Sequence, residues 1–428
     1  MMSMILSEPL NLKRSSYESV YFFIMIVYMG MANGYTQVLS YPPSKGLWTF
    51  FVPVILTITL VVRNVKKFRS NKRLYLVLCI VCIWVVFQGI KYMHLFAMNL
   101  FLLYNIVMAY IFVKVYGYGI IVLYERYVTK LSLIGLFVWI IYNLAPELLI
   151  NFTNYFSVKC SGTLISNFFI AGLASSSDFI GFRNAGFAQE PGMYASFVII
   201  AMFFNLILNG FNYKNRSFII LFLSLITTQS TTGYLAFFLI VFFYTLNVKT
   251  SRLYVILFLL LTLPSIIALP FVGDKIKHYM PQKDSIENIV WNGEYIENNI
   301  DGAVFVPQRL DGFILECMNF LFDPWLGYGV KKEYTSYVST HLSRYISCSN
   351  GNISIFSRFG LFMGIFFYLI LYRTGKLLDS VGNVKASLSF ILMFLVLTIS
   401  YQLDSIPMLL SLWLLSVFFD TNNNIRKY

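Results

Sequence analysis

Two arginines in this sequence are each followed by the same pattern of residues. Arg183 begins Arg-Asn-Ala-Gly-Phe and Arg309 begins Arg-Leu-Asp-Gly-Phe, so both fit Arg-x-x-Gly-Phe. A guanidinium can hold a phosphate group through two parallel hydrogen bonds, a geometry that the ammonium of lysine lacks. Two such arginines at one surface would neutralise the charge of a pyrophosphate. The pattern favours Arg183 and Arg309 as binding residues for a phosphorylated ligand, with two solvated loop arginines as the alternative.

A glutamate follows the first arginine at the start of a predicted helix. Glu190 comes directly before Pro191 and a long apolar stretch. Proline is favoured in the first turn because its missing N–H would have no partner there, and a carboxylate is stabilised at the positive end of the helix dipole. Glu190 is therefore a candidate catalytic group, and a good helix start without chemistry is the alternative.

A glycine-rich stretch follows the second arginine. The chain reads Asp323-Pro-Trp-Leu-Gly-Tyr-Gly329, and Asn350 then precedes an apolar helix that contains Arg358. Glycines permit tight turns, and an arginine near the end of a membrane span can face a site at the surface. Trp325 and Tyr328 are candidates for stacking on sugar rings, with membrane-interface packing as the alternative.

The sequence lacks the motifs of ATP-driven and metal-dependent chemistry. It has no Gly-x-x-x-x-Gly-Lys-Ser/Thr loop for a nucleotide and no His-Glu-x-x-His motif. Its histidines, His94, His278 and His341, are far apart in the sequence. No Asp-x-Asp pair is present to hold a divalent cation against a nucleotide-sugar pyrophosphate. We therefore expect no metal ion and no cofactor.

The composition requires that membrane helices position these residues. Of the 428 residues, 58% are hydrophobic and 12% are charged, whereas an average soluble domain carries about 25% charged residues. A span needs about 20 mostly apolar residues. On this criterion the chain is predicted to be an all-α polytopic membrane protein of about 12 spans. They lie near residues 19–37, 47–62, 74–91, 96–115, 131–150, 191–208, 217–231, 233–247, 253–273, 352–372, 388–403 and 406–419.

The net charge of +13 predicts the orientation of these spans. The segment between Arg63 and Arg73 carries six basic residues and no acidic one, so the positive-inside rule places it in the cytoplasm. Alternation from there makes both termini cytoplasmic, together with a loop that holds Arg126 and Lys130. The positive charge is thereby explained by topology, and nucleic acid is not an expected partner.

The predicted spans divide the chain into five parts. Residues 1–150 carry spans one to five, residues 191–273 carry spans six to nine, and residues 352–428 carry the last three spans and a cytoplasmic tail. Residues 151–190 and 274–351 form two large external loops, in which we expect short amphipathic helices such as one over residues 313–321. Cys317 and Cys348 are candidates for a disulfide in an oxidising compartment, although the three predicted external cysteines would then leave Cys160 unpaired.

With two large external loops, Arg-x-x-Gly before Glu-Pro, and Arg followed by Asp-Pro-x-x-Gly-x-Gly, the chain resembles the bacterial O-antigen polymerases of the Wzy type. The resemblance implies a metal-independent glycosyltransferase in the bacterial cell inner membrane that polymerises oligosaccharide repeat units carried on undecaprenyl pyrophosphate. It implies a lipid-linked donor and acceptor, the bilayer and a chain-length regulator as partners. Arg183 and Arg309 match the arginines that engage the donor pyrophosphate, and Glu190 matches the acid of the Glu-Pro phrase.

The related O-antigen ligases carry a His-Asn pair where this chain has Ser349-Asn350. The missing histidine weakens the ligase alternative, and the almost uncharged spans disfavour a flippase or other transporter. The general base stays open, with four candidates that comprise Glu190, Asp311, Glu316 and His341. The remaining predicted substrate-binding residues are Gly186, Gly312, Asp311, Glu316, Asn350, Arg358, Trp325 and Tyr328.

Overall fold

The computed structural model describes much of the chain between residues 21 and 418. The described residues are 21–23, 26, 52–65, 72–93, 97–147, 158–160, 163–167, 171–175, 182–188, 190–210, 214–247, 309–329, 336–341, 350–382, 386–399 and 407–418. The predicted ninth span, residues 253–273, and most of the first span lie outside them.

The described chain is mainly helical, with one small sheet. Before the sheet, the structure describes helices α1 (Val52–Arg63), α2 (Lys72–Lys91), α3 (Ala97–Tyr116) and α4 (Gly119–Leu144), together with a few helical residues at 21–23 and 26. The strands are β1 (Val158–Cys160), β2 (Thr163–Asn167), β3 (Gly172–Ser175) and β4 (Arg183–Gly186). The sheet is followed by α5 (Pro191–Asn209), α6 (Arg216–Thr228), α7 (Thr231–Asn247), α8 (Arg309–Phe322), α9 (Tyr337–His341), α10 (Gly351–Gly382), α11 (Ser387–Thr398) and α12 (Pro407–Phe418).

The described part of the chain contains long apolar helices, which are consistent with a membrane protein. Among the described residues, α4, α5 and residues Gly351–Ser380 of α10 are each long and apolar enough to cross a membrane. The other apolar helices of this part of the chain, such as Arg216–Thr228, are shorter. The count of twelve spans, their orientation and the five-part division stay predictions.

Helix α4 corrects one predicted boundary. The fifth span was expected to begin near residue 131, after a loop that holds Arg126 and Lys130, but the helix begins at Gly119 and contains both residues. Their side chains are exposed, whereas Val128 and Leu131 are buried. The two basic residues therefore lie on one exposed face of a helix. Their charges lower the average hydropathy of this stretch, which is why the sequence predicts a loop there.

The sheet corrects the expectation of an entirely helical chain. Strands β1 to β4 form an antiparallel meander in sequence order, with a register shift between Gly172 and Leu173. Leu173 and Ala174 of β3 and Ala185 of β4 are buried, and β4 packs against α4, α5 and α6. Small side chains allow this close packing of strand on helix. Segments of three to five residues are too short for their alternation to be recognised in the sequence.

Helix α5 forms the centre of the described bundle. Every residue from Met193 to Ile207 is buried, and the helix contacts α4, α6, α7, α10 and β4. Its one buried amide, on Asn205, donates a hydrogen bond of 2.7 Å to Glu125 of α4. Burial on all sides explains why α5 is apolar around its whole circumference. The predicted span at 191–208 agrees with its bounds.

Helix α8 confirms the helix predicted over residues 313–321 and shows how it is oriented. It buries Leu315, Glu316 and Asn319 and exposes Phe313 and Leu321. The described polar side chains of Glu316 and Asn319 thus face the protein, and the large apolar side chains of Phe313 and Leu321 face outward. Contact of that outer face with the membrane surface stays a prediction. Cys317 of α8 forms no disulfide in the structure, and Cys348 lies outside the described residues.

Candidate functional site

The glycine-rich stretch docks onto the start of α10. Residues 323–329, here called the glycine loop, follow α8 directly. The N–H of Tyr328 donates to the carbonyl of Ser357 at 2.9 Å, and that of Gly329 donates to the carbonyl of Arg358 at 2.8 Å. In return, the N–H of Leu361 donates to the carbonyl of Pro324 at 2.7 Å. These backbone bonds fix the loop against one turn of α10.

A kink in α10 makes this docking feasible. Gly360 has φ of 78° and ψ of 176° inside the helix, a conformation that glycine adopts with little cost. A Cβ atom at this position would lie 2.0 Å from the carbonyl oxygen of Trp325. The break interrupts the helical hydrogen bonds, so backbone groups of Ser357, Arg358 and Leu361 become available to the loop.

A buried carboxylate lies beneath the glycine loop. Glu316 is 0% exposed, and its carboxylate accepts hydrogen bonds from the hydroxyl of Tyr328 at 3.2 Å and from the Ser357 hydroxyl. The amide of Asn319 lies 3.5 Å from the same carboxylate. Because it is completely enclosed, Glu316 offers no surface to a ligand. It ties α8, the glycine loop and α10 together, and it does not have the geometry of a general base that meets a substrate.

Helix α2 clamps the other side of the loop. The amide of Gln88 donates to the carbonyls of Leu326 at 2.7 Å and Arg358 at 2.8 Å. One turn later, the hydroxyl of Tyr92 lies 3.0 Å from both the Asp323 carboxylate and the Gly327 carbonyl, and Lys91 forms an ion pair with Asp323. Burial and the nearby Asp323 carboxylate raise the pKa of Tyr92, so its phenol stays protonated and donates.

The clamp was missed at the sequence level. Gln88 lies in a stretch that is otherwise mostly apolar, and a polar amide in such a position is a signal for a role inside a bundle. That signal indicates a buried partner but does not identify it. The partners, Leu326 and Arg358, are 238 and 270 residues away.

Arg358 is held at the centre of this arrangement. It is 6% exposed, and its guanidinium carbon lies 4.9 Å from the centre of the Phe359 ring. Its carbonyl accepts hydrogen bonds from both Gln88 and Gly329. A cation whose backbone is fixed from two sides is suited to bind an anionic group in a defined orientation.

Three further residues that were predicted to bind substrate differ in their contacts and in their exposure, and they comprise Asn350, Trp325 and Tyr328. Asn350 caps α10, since its side-chain oxygen accepts from the N–H of Asn352 at 3.1 Å. Trp325 is 59% exposed and stacks on Phe362, which leaves its outer face available to a ligand. Tyr328 is 1% exposed. Stacking of a sugar on Tyr328 is therefore excluded in this conformation, because its ring lies inside the protein.

The first predicted arginine lies at the end of a helix. Arg183 donates from Nε to the carbonyl of Thr228 at 3.0 Å and from Nη2 to that of Gln229 at 3.2 Å. These carbonyls belong to the C-terminal end of α6, where a cation is stabilised by the helix dipole. The described contacts give Arg183 a structural role, and its partly exposed side chain leaves phosphate binding as a prediction.

The two Arg-x-x-Gly-Phe phrases adopt different structures. Arg183–Gly186 is strand β4, whereas Arg309 begins helix α8 and Gly312 is buried in its first turn. Gly186 has φ of 52°, and a Cβ atom there would lie 2.3 Å from the ring of Tyr194. The glycines therefore serve different packing needs, and the phrases do not form a structural repeat.

The structure describes the remaining predicted site residues only in part. Glu190 is the N-cap residue of α5 and makes no side-chain hydrogen bond to that helix. It is half-buried, so part of its surface is open to a ligand. Pro191 follows at the first helical position as predicted. The backbones of Arg309 and Asp311 lie in the first turn of α8, and His341 ends α9. The side chains of these three residues lie outside the described part.

No cluster of three or more histidine, cysteine, aspartate or glutamate residues with metal-binding geometry occurs within the described ranges. Neither a protein-family model nor a curated protein sequence matches the chain. The assignment of a function therefore depends on the site itself.

Proposed function

We propose that this protein polymerises lipid-linked oligosaccharide repeat units into a surface polysaccharide at the outer face of the bacterial cytoplasmic membrane. A hydroxyl of the acceptor unit attacks the anomeric carbon of the donor chain. The bond from that carbon to the pyrophosphate breaks, and the proton of the hydroxyl passes to a base. No nucleotide or metal takes part in this transfer.

One observation carries the proposal. The glycine loop is fixed against the kinked start of a membrane-length helix, and the buried cation Arg358 lies where the two meet. Transfer from a lipid pyrophosphate needs a positive charge held at the end of the membrane helices, because the leaving group gains charge as the bond breaks. Arg358 supplies it, and Arg183 and Arg309 are proposed to assist.

Two carboxylates that were candidates for the base differ in access. Glu190 is partly exposed at the start of α5, whereas Glu316 is enclosed. A base must come within hydrogen-bonding distance of the hydroxyl that it deprotonates. We therefore favour Glu190 as the base and assign Glu316 to positioning the glycine loop.

Deletion of the gene is expected to shorten the surface polysaccharide to a single repeat unit. The lipopolysaccharide of the deletion strain, separated on a gel, should show core carrying one unit and no ladder. Plasmid-borne wild-type protein should restore the ladder. Core without any attached repeat unit would instead favour a ligase or a transporter. An unchanged ladder would contradict the proposal.

Arg358→Lys is expected to reduce the long chains in such a strain by about tenfold, because lysine keeps the charge but loses the fork geometry. Arg358→Ala should abolish them. Arg373 provides a matched control, because it lies exposed on the same helix, and Arg373→Ala should leave the ladder unchanged. Quantified immunoblots of membranes establish equal protein levels. A normal ladder from well-expressed Arg358→Ala would contradict the role of this residue.

A further inference from the structure

Helix α10 folds back on itself at Gly360. The hydroxyl of Tyr368 donates to the side-chain oxygen of Asn352 at 3.2 Å, although the two residues are 16 positions apart in the chain. In a continuous α-helix that separation corresponds to about 24 Å, which the two side chains cannot span. The residues on either side of the break therefore form two arms that lie side by side. They are here called the short arm, residues 351–359, and the long arm, residues 361–382.

Two further contacts join the arms. The rings of Phe356 and Tyr368 stack with their centroids 5.7 Å apart, and a Cβ atom on Gly364 would lie 2.3 Å from the Phe356 ring. In a continuous helix these two pairs would be separated by about 18 Å and about 12 Å along the axis. Gly364 thus lets the long arm approach the short arm closely, because it has no side chain to displace the Phe356 ring.

The two arms differ in their surroundings. Large apolar side chains follow one face of the long arm at helical spacing and are exposed, and they comprise Phe362, Ile365, Leu369 and Tyr372. The short arm buries Ser354, Ile355, Ser357 and Phe359. The long arm alone measures about 33 Å, enough for a hydrocarbon core of about 30 Å. A single crossing therefore needs the long arm only, and the short arm lies within the bundle.

Both ends of the short arm are tied to other parts of the molecule. Near its start, the amide nitrogen of Asn352 donates to the carbonyl of Leu395 at 2.7 Å, and the amide oxygen accepts from the hydroxyl of Thr398. Leu395 and Thr398 belong to the last turn of α11, where carbonyls lack partners within the helix. At the other end, the carbonyl of Arg358 accepts from the glycine loop and from α2.

We propose that residues 351–359 are a re-entrant arm that stays fixed inside the membrane domain, and that Asn352 is the positioning residue that holds it. The arrangement of the arms is independent of the proposed function, whereas the role of Asn352 rests on it. Gly360 tolerates a wide range of backbone angles, so contacts at the far end of the arm are needed to prevent rotation. Asn352 supplies them and thereby keeps Arg358 in one position at the glycine loop.

A disulfide between the arms tests their arrangement. Phe356→Cys with Gly364→Cys puts two thiols where the arms touch, whereas a continuous helix would hold the two Cα atoms about 12 Å apart, too far for a bridge. The full-length protein, which also carries Cys348→Ser, is oxidised in membranes and isolated as the monomer band of a non-reducing gel. Trypsin cuts after Arg358, between the two thiols. We expect the two peptides to stay joined until they are reduced.

Phe356→Cys with Phe362→Cys is the matched control for this bridge. Phe362 is 59% exposed on the opposite side of the long arm, so this pair should bridge about tenfold less although it is closer in sequence. Equal yields from the two pairs, or no bridge in the first pair, would overturn the re-entrant arm.

A double-mutant cycle tests the same arrangement without new cysteines. Asn352→Leu and Tyr368→Phe each remove one side of the hydrogen bond between the arms. If the residues touch, the melting temperature of the double variant should fall by less than the sum of the two single shifts. Additive shifts are the result for residues held far apart in a continuous helix, and they would contradict the proposal.

Polymer synthesis by membrane vesicles supplied with lipid-linked repeat units tests the role of Asn352. Asn352→Leu should lower synthesis by about tenfold or more, because a small displacement of a charge near the reacting bond is costly. Thr398→Val removes a hydroxyl that holds Asn352 and should also lower synthesis, whereas Thr398→Ser keeps the hydroxyl and should be close to wild type. The bridge between positions 356 and 364 should restore synthesis in Asn352→Leu, and reduction should remove this gain.

The bridged protein with Asn352 intact distinguishes a fixed arm from a moving one. A fixed arm predicts equal synthesis before and after reduction. Loss of synthesis on bridging that reduction reverses would show that the arm moves during catalysis and would overturn the proposal. Normal synthesis by Asn352→Leu would remove the positioning role. Bridge formation requires no glycosyl transfer, so a protein whose arms bridge but whose deletion leaves the ladder unchanged keeps the re-entrant arm and loses the polymerase function.

Discussion

Gly360→Ala is expected to detach the glycine loop from α10 and to abolish polysaccharide ladders. The new Cβ atom would lie 2.0 Å from the oxygen and 2.4 Å from the carbonyl carbon of Trp325. Both are backbone atoms, so no side-chain rotation relieves the overlap. The backbone conformation of Gly360, which is essentially restricted to glycine, adds about 1–3 kcal/mol for a residue with a side chain. With the loss of loop hydrogen bonds, we expect the free energy of unfolding to fall by about 3 kcal/mol or more.

Gly329→Ala is the matched control for this substitution. Gly329 also has a positive φ, of 83°, but the atom nearest to an added Cβ is the side-chain oxygen of Gln88 at 3.7 Å. Gly329→Ala should therefore lose only the cost of the backbone conformation, about 1–3 kcal/mol, without a clash against backbone atoms. Melting of the detergent-purified variants, followed by size-exclusion chromatography after heating, compares the two. Equal melting temperatures for Gly360→Ala and Gly329→Ala would show that the kink tolerates a side chain.

Glu316→Ala is expected to destabilise the protein by about 3 kcal/mol, because the buried donors of Tyr328 and Ser357 would lose their common acceptor. The same heating assay measures this loss. In the double variant Glu316→Leu with Tyr328→Phe, fewer buried donors are left unpaired. The free energy of unfolding of this double variant should fall by less than the sum of the losses measured for Glu316→Leu alone and Tyr328→Phe alone.

Glu316→Gln distinguishes positioning from base catalysis. Glutamine keeps the shape and one acceptor oxygen, so we expect a smaller loss of stability than with alanine and ladders that are shortened but present. Loss of all polymer from a Glu316→Gln protein that melts like wild type would assign a proton-transfer role to Glu316 instead. A Glu316→Ala protein as stable as wild type would contradict the positioning role.

Helix positions that are determined by residues close together in the chain were predictable from the sequence. The start of α5 follows from Glu190, Pro191 and the apolar residues after them, and the predicted span at 191–208 agrees with Pro191–Asn209. The helix over residues 313–321 likewise follows from its own sequence. In both cases the information lies within one helix, where side-chain periodicity and capping determine the structure.

Features that depend on distant contacts were not predictable. The sheet consists of strands too short for a pattern, and its small residues are explained only by the helices beneath it. The shared Arg-x-x-Gly-Phe pattern suggested one role for two segments, yet β4 and α8 place it in different surroundings. Trp325 is exposed and Tyr328 is buried, although both are aromatic residues of the glycine loop.

The separation in sequence between partners also sets an order in which the molecule can assemble. Strands β1 to β4 pair only with their neighbours in the chain, so the sheet can form soon after its own residues are synthesised. The loop bound by Gln88 lies 238 residues further along, and Arg358 lies 270 residues further. Distant contacts form late, and synthesis proceeds from the N-terminus. The amide of Gln88 in α2 therefore lacks the Arg358 carbonyl as an acceptor until α10 has been synthesised. A chain that stops before Gly351 would have a sheet but no candidate site.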